Sequence, residues 1–321
     1  MNTTMKRILL AGLALLVVGA LIMAAAMFSM KFDFRRLGTR KTVTNTYTPA
    51  GDFEDILIGI HTAEITFQPS EDGKLKVVCV EEEGLQHVVT VSKGALSIQA
   101  VDTQRWHEKI GVGAEKTSIT VFLPKKEYDA LTLKTDTGDE TVPAAFRFRS
   151  VLMSGSTADI DFRAFTEGSV SIRTSTGDIS LDGLQASSLD LTASTGHIRV
   201  SGSVIAGSVK VQTSTGEVGL TDLNCADAQV KTTTGEVDFV RVLASESLRI
   251  ETDTGDVRFD RSDAPEIRVE TDTGVVTGTL LTPKIFETDT DTGRVRLPRS
   301  EPGGRCELKS DTGDFEIEIV G

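Results

Sequence analysis

The sequence predicts an all-β protein whose main part is a right-handed parallel β-solenoid of about ten rungs. Three observations support this. A five-residue motif, first at residues 135–139 and last at residues 310–314, recurs ten times. Its copies follow one another at intervals of 19 or 20 residues, and a fixed interval of this size is typical of solenoids. Apolar and polar residues alternate on both sides of each motif, which indicates strands with one buried face.

The N-terminal segment predicts a membrane anchor. Residues 1–7 form a short tail with Lys6 and Arg7, and residues 8–28 form an uncharged apolar run of 21 residues. Such a run is long enough to cross a bilayer as one helix. A cleaved secretory signal is the alternative, because residues 24–26 are small alanines. We favour an uncleaved signal anchor, since the run is longer than the apolar core of a usual signal.

The distribution of charge bears on orientation and on partners. Residues 29–45 are predicted to form a basic linker. Because of this linker, the chain that follows the anchor carries more positive charge near the membrane than the chain that precedes it, which by charge count alone argues against an outside location for the following domain. We still expect the remaining chain to lie outside the cell, because long domains are less bound by this rule. Residues 1–41 hold seven of the 34 basic and one of the 47 acidic residues, which leaves a net charge of about −19 beyond them. This acidic balance argues against nucleic-acid binding.

Residues 46–125 predict an irregular β-rich cap that closes the first end of the solenoid, because open sheet edges invite aggregation. Residues 56–65 resemble a degenerate copy of the motif with Ala63 in place of glycine. Residues 75–80 and 87–91 are predicted to pair with residues 96–101, and the turn at residues 92–94 favours an antiparallel connection. The least regular segment, residues 103–116, contains the only tryptophan, Trp106.

Residues 126–321 predict the solenoid, in which each repeat is a strand, a tight Thr-Gly turn, a second strand and a looser turn. Apolar columns lie seven and five residues before the glycine and two and four residues after it. The threonine directly before the glycine shares their parity, so we expect it to point inward and to bond within the corner. The glycine is expected to need a positive φ, which makes Ala158, its one replacement, the most strained position. The predicted corner residues are Gly138, Gly177, Gly196, Gly216, Gly235, Gly255, Gly274, Gly293 and Gly313, with Thr137, Thr176, Thr254 and Thr312 among the threonines.

An outward column of aspartates is predicted two residues before the glycine in the last four repeats. Neighbouring carboxylates would lie roughly 4.8 Å apart and repel one another. Backbone N–H groups of the turn would relieve this repulsion, and this is the favoured interpretation. Arg294 or calcium, which accepts flexible oxygen ligands, are the alternatives. The calcium ladder would comprise Asp253, Asp272, Asp291 and Asp311, and we predict no other metal or cofactor.

Catalytic motifs are not evident in the sequence. The four histidines lack the spacing of metal ligands, and the three cysteines lie too far apart for a disulfide framework. A polysaccharide-cutting β-helix enzyme usually needs aromatic platforms, whereas the chain has one tryptophan and two tyrosines. An ice-binding face would require outward threonines, while parity predicts inward ones. An enzyme is therefore the least favoured function.

The Thr-Ser/Asp-Thr-Gly-Asp corner, behind an N-terminal membrane segment and an irregular cap, resembles a bacterial family of unknown function. Its members carry β-strand repeats and are labelled candidate adhesins, and the resemblance covers roughly residues 45–321. It implies a non-enzymatic, membrane-anchored surface scaffold that binds an envelope or extracellular partner, either protein or glycan. The family's association with cell-envelope stress operons in Gram-positive bacteria implies an alternative, a regulatory or sensor protein in stress signalling.

Overall fold

The computed structural model describes residues 3–29, 42–102 and 116–321. Most of the predicted basic linker and the segment around Trp106 lie outside the described residues. The N-terminal residues form one helix, α1 (Thr3–Ser29). Among the described residues, no helix meets the combined requirements of length and apolar character for crossing a bilayer.

All other regular structure in the described residues is β-strand. The cap comprises β1 (Thr42–Tyr47), β2 (Asp55–Gly59), β3 (Glu64–Pro69), β4 (Lys76–Glu82), β5 (Leu85–Ser92), β6 (Ala95–Asp102) and β7 (Ser118–Leu123). The rod comprises β8 (Glu127–Thr137), β9 (Glu140–Val142), β10 (Arg147–Thr157), β11 (Ile160–Phe162), β12 (Phe165–Thr166), β13 (Ser169–Thr176), β14 (Ile179–Asp182), β15 (Gln185–Ala186), β16 (Ser188–Thr195), β17 (Ile198–Ser201), β18 (Val204–Ile205), β19 (Ser208–Thr215), β20 (Val218–Thr221), β21 (Asn224–Thr234), β22 (Val237–Val240), β23 (Leu243–Thr254), β24 (Val257–Ser262), β25 (Glu266–Thr273), β26 (Val276–Leu280), β27 (Ile285–Thr292), β28 (Val295–Arg296), β29 (Arg305–Thr312) and β30 (Phe315–Ile319).

The rod is a parallel β-solenoid of about ten turns, as the repeats predict. Strands before the corners stack in one sheet and strands after the corners stack in the other, and neighbouring rungs pair in parallel. The register aligns equivalent positions, so that Leu191 lies beside Ile172 and Val211. Residues of the predicted apolar columns, such as Leu191 and Ile198, are fully buried between the sheets. The core is therefore a continuous apolar strip along the rod.

The cap closes the rod by changing from parallel to antiparallel pairing. Residues 56–65 form a true rung, because β2 pairs in parallel with β8 while β3 pairs in parallel with β9. The predicted hairpin at residues 92–94 is confirmed, since β5 and β6 pair in an antiparallel manner. The predicted pairing of residues 75–80 with 96–101 is wrong, because β4 lies in the other sheet between β1 and β7.

The rungs at the far end of the rod are stacked out of chain order. β25 pairs with β29, and β29 pairs with β27, so the last repeat in the sequence lies between the two that precede it. The second sheet repeats this order, with β30 between β26 and β28. The repeat at residues 285–296 therefore forms the end of the rod. Its inward positions are partly open to solvent, with Thr288 exposed and Val295 45% exposed, which suits a rung with one open side.

Because the rungs are stacked out of chain order, the connection between β26 and β27 must skip one rung, and a buried ion pair stabilises this connection. Lys284, which precedes β27, is 1% exposed, and its Nζ lies 2.5 Å from Asp263 Oδ1. The same ammonium donates to Thr282 Oγ1 at 2.5 Å, while the backbone N–H of Ala264 donates to the Asp263 carboxylate. Both charges are thus paired and hydrogen-bonded, as burial demands.

Candidate functional site

The Thr-Gly corners form one continuous edge along the rod, but the threonines do not point as parity predicts. The residue three before the glycine is the inward one: Thr174 is 4% exposed, whereas Thr176, directly before Gly177, is exposed. Thr137, Thr254 and Thr312 are exposed in the same way. The prediction of inward threonines is therefore wrong. The reason is that the strand bends over the last two residues before the glycine, and period-two parity holds only while the backbone stays extended.

Some of the inward hydroxyls perform the role that was predicted for the outer threonines, whereas those of Thr232, Thr252, Thr271 and Ser310 find no hydrogen-bond partner among the described residues. Thr174 Oγ1 donates to the carbonyl oxygen of Thr176 at 3.0 Å, across its own turn. Thr213 Oγ1 donates to the carbonyl of Gly196 in the preceding rung at 3.3 Å. The first bond stabilises the bend within one corner, and the second joins neighbouring rungs. The hydroxyls of the outer threonines face solvent.

The glycine column is required because the corners stack closely. A Cβ on Gly235 would lie 2.0 Å from the carbonyl oxygen of Gly216, and at the other eight corner glycines the corresponding distance is 1.8–2.1 Å. The predicted positive φ is found at five of the nine: Gly138, Gly177, Gly196, Gly216 and Gly235. It is not found at Gly255, Gly274, Gly293 and Gly313, where the close carbonyl alone excludes a side chain.

Aspartates directly after the corner position form a second ladder in parts of the rod. The backbone N–H of Asp178 donates to Asp159 Oδ1 at 2.8 Å, and the N–H of His197 donates to Asp178 Oδ1 at 2.8 Å. The same bond joins Val275 to Asp256 and Arg294 to Asp314. Each aspartate thus satisfies a backbone donor of the neighbouring corner, which explains why acidic residues recur at this position.

A shallow groove of about 890 Å³ follows the corner edge over the last five rungs of the rod. Its floor is glycine backbone, and exposed threonines with the residues after each glycine form its sides. Three of these following residues are acidic and one is Arg294. In spatial order the floor comprises Gly235, Gly255, Gly274, Gly313 and Gly293.

The predicted aspartate column lies along this groove. All four carboxylates are exposed, and the pairing of strands places them in the order Asp253, Asp272, Asp311 and Asp291. Within the described residues, none of the four carboxylates takes part in a hydrogen bond or an ion pair, so the favoured interpretation, in which turn N–H groups bond them, is wrong. Arg294, the predicted neutralising partner, accounts for no ion pair there either. The calcium ladder stays a prediction.

Two groups of buried polar side chains were not predicted from the sequence. Glu140 occupies an apolar column between Ile65 and Ile160, is fully buried, and finds no hydrogen-bond partner among the described residues. Burial raises its pKa to about 8. In the cap, Cys79, Glu81 and His87 lie together, a cluster that the spacing of cysteines and histidines in the sequence does not predict. In both places a glutamate occupies a strand position that the alternation of apolar and polar residues predicts to be buried, and this was the signal that the sequence offered.

The three cysteines are free and buried. Burial raises the pKa of each thiol, Cys79, Cys225 and Cys306, to about 12, so all three are protonated near neutral pH. Cys306 lies in an inward column, as predicted.

Comparison with known proteins places these features in context. The profile of the Toastrack DUF4097 family matches residues 53–318. No curated protein matches the sequence significantly. Among solved structures, a candidate adhesin from Parabacteroides merdae is 14% identical with a TM-score of 0.52, over 75% of this chain and 97% of its own, which shows a shared fold. A candidate lipid-binding protein from Parabacteroides distasonis is 14% identical with a TM-score of 0.49, over 88% and 98% of the two chains.

Proposed function

This chain belongs to the Toastrack DUF4097 family, and we propose that it is a non-enzymatic scaffold at the cell surface that binds an envelope or extracellular partner through its corner groove. The observation that carries the proposal is the groove itself. Five stacked corners present the same backbone floor and the same threonine hydroxyls at each rung. A surface with this repetition suits an extended partner that makes similar contacts at successive rungs.

The charge of the groove favours a basic partner. Glu236, Asp256 and Asp314 line it against one arginine, and the four aspartates of the outer column lie alongside. Unpaired carboxylates on neighbouring rungs attract an extended protein segment that carries lysine or arginine. A glycan partner would depend on the threonine hydroxyls instead.

The described part of the groove supports binding rather than catalysis. Nucleophilic catalysis needs a base within hydrogen-bond reach of a nucleophile. The groove's side chains are threonines, carboxylates, one valine and one arginine, and no described histidine lines it. The carboxyl group with a raised pKa, Glu140, is closed inside the rod and cannot reach a substrate. One solved structure that shares the fold is named a candidate adhesin.

We further propose that residues 8–28 anchor the protein in the membrane and that the rod lies outside the cell. The uncharged apolar run of 21 residues, which lies within α1, supports the anchor. The test is a single cysteine at exposed Ser214, probed with a membrane-impermeant maleimide in intact cells. Labelling without permeabilisation is expected, and labelling only after lysis would contradict the orientation.

The binding function is tested by photo-crosslinking in intact cells. A photoreactive amino acid replaces Thr273, in the groove, and Leu152, which is 48% exposed on the rod away from the groove, serves as the control. Capture of a partner from position 273 alone is expected, with weaker capture when the four outer aspartates become asparagine. Equal capture from both positions, or none, would contradict the proposal. If the only captured proteins were integral to the membrane, the regulatory alternative would be favoured over the adhesin.

A further inference from the structure

The cap contains a buried cluster of three side chains of the kinds that bind transition metals. Cys79 and Glu81 lie two residues apart on β4, so their side chains share the inner face of the strand. His87 lies on β5 and is also buried. The cysteine sulfur, a carboxylate oxygen of Glu81 and a ring nitrogen of His87 all lie within 4.8 Å of one another.

Hydrogen bonds from residues outside the cluster hold the carboxylate of Glu81 in place. Asn45 Nδ2 donates to Glu81 Oε1 at 2.5 Å, and the hydroxyl of Tyr47 donates to the same oxygen at 3.2 Å. The other oxygen, Oε2, accepts the backbone N–H of His87 at 2.7 Å and lies 2.7 Å from His87 Nδ1. One oxygen is therefore held by two donors on β1, while the other lies against the backbone N–H and the ring nitrogen of His87. Carboxylates that bind metals are oriented by hydrogen bonds of this kind.

A cavity gives access to the cluster. It has a volume of about 270 Å³ and is lined by Glu81 and His87 together with His61, Thr117 and their neighbours. The thiol of Cys79 lies behind these two residues, fully buried. A metal ion entering from the cavity would meet the carboxylate and the imidazole first and the thiol last, and one coordination position would remain on the cavity side for water.

We propose that Cys79, Glu81 and His87 bind a zinc ion, with the fourth ligand position open to the cavity. Zinc binding displaces the proton of the Cys79 thiol to solvent, and the resulting thiolate, an imidazole and a carboxylate suit zinc, whereas calcium and magnesium take oxygen ligands alone. Tetrahedral zinc with bonds of about 2.0–2.3 Å places its ligand atoms roughly 3.3–3.8 Å apart. Side-chain shifts of about 1 Å therefore convert the observed separations into a coordination sphere. This site lies in the cap and does not depend on the corner groove or on its partner.

Cobalt substitution tests the site directly. Full-length protein in mild detergent is stripped with a chelator and titrated with Co²⁺. One bound ion per chain is expected, with a thiolate-to-cobalt charge-transfer band and the intense visible bands of tetrahedral cobalt, and Zn²⁺ should displace both. Cys79→Ser should abolish the charge-transfer band, while Cys225→Ser, which changes a buried thiol in the rod, should leave it intact. Tyr47→Phe should weaken cobalt binding by about tenfold or more, because it removes a donor that orients Glu81.

Two results would overturn the proposal. One is the absence of cobalt bands in the wild-type protein, a result that does not depend on any variant folding. The other is a charge-transfer band that persists in Cys79→Ser, which would place the metal elsewhere. Circular dichroism of each variant shows whether a lost band reflects a lost ligand or a lost fold, and Glu81→Gln provides a second, isosteric variant that should also reduce binding.

Discussion

A Cβ atom placed on Gly155 would lie 2.8 Å from the Cβ atom of Ala158. Gly155 occupies the inward position that holds threonine in most rungs, and Ala158 occupies the position that holds glycine in all the others. Ala158 has no positive φ, and it is buried. The expected strain at Ala158 is therefore absent, because the two exceptions fall in one rung and compensate: the alanine methyl fills the space that an inward side chain would take.

The first prediction tests this compensation. Gly155→Thr alone should destabilise the protein by about 1–3 kcal/mol, because it forces a side chain against the Ala158 methyl. The double variant Gly155→Thr, Ala158→Gly restores the pattern of the other rungs and should recover most of that loss. Chemical denaturation of the four proteins in a double-mutant cycle measures the coupling. Additive effects of the two changes would contradict a shared space.

The second prediction concerns the glycine column. Gly235→Val should cost about 3 kcal/mol or more, because its Cβ would overlap the carbonyl of Gly216 and its φ of 154° resists a branched side chain. Ser214→Ala changes an exposed position in the preceding corner and should stay within about 0.5 kcal/mol of the wild type. Similar thermal midpoints for the two variants would show that the corners are not tightly stacked.

The third prediction concerns pH. The pKa of Glu140 is raised to about 8 from a usual value of 4.5, so the folded protein holds this group neutral where the unfolded chain ionises it. The contribution of Glu140 to the free energy of unfolding should therefore be greatest below about pH 4.5 and should fall as pH rises to about 8. Glu140→Ile, which restores the apolar column, should remove this decline and should exceed the wild type most at alkaline pH. Urea midpoints from pH 5 to 9 measure the difference, with exposed Glu217→Gln as the control. Parallel curves would contradict the buried, neutral state.

The fourth prediction concerns the aspartate column. Asp272 lies between Asp253 and Asp311 on neighbouring rungs, so Asp272→Asn should raise the thermal midpoint by about 1–3 °C at low salt. The gain should shrink at high salt, where the carboxylates are screened. Millimolar calcium separates the interpretations. If calcium bridges the column, the wild-type midpoint rises and the advantage of the variant is lost. If it does not, the advantage is the same in both buffers.

The interior of the rod could be predicted from the sequence because burial enforces strict alternation along extended strands. The columns containing Leu191 and Ile198 follow directly from that rule. At the corner the rule fails, since the backbone bends and two successive residues such as Ser175 and Thr176 both face solvent. Hydrophobic periodicity carries no information about a bend of this kind.

The order of the last rungs and the cluster in the cap were beyond prediction for a different reason. Repeats of nearly identical pattern fit against one another in several orders, so the pattern does not specify neighbours. The polar inward residue Thr288 was the one signal that its repeat belongs at an end. In the cap, Cys79 and His87 come together because the chain passes from one sheet to the other between β4 and β5. No short sequence motif predicts this change of sheet.

The corner groove exists in the described form only if the last rungs stack in the order found here, and cysteine cross-linking tests this most directly. Lys309 pairs with Glu270 on one side and with Asp289 on the other. Cysteine pairs at 270 and 309, and at 309 and 289, should form disulfides under mild oxidation, because neighbouring parallel strands lie roughly 4.8 Å apart. A pair at 270 and 289 should not, since two rung spacings, roughly 9.6 Å, exceed the reach of a disulfide. Efficient cross-linking of 270 with 289, and none of 270 with 309, would show that the rungs follow chain order and would contradict the account.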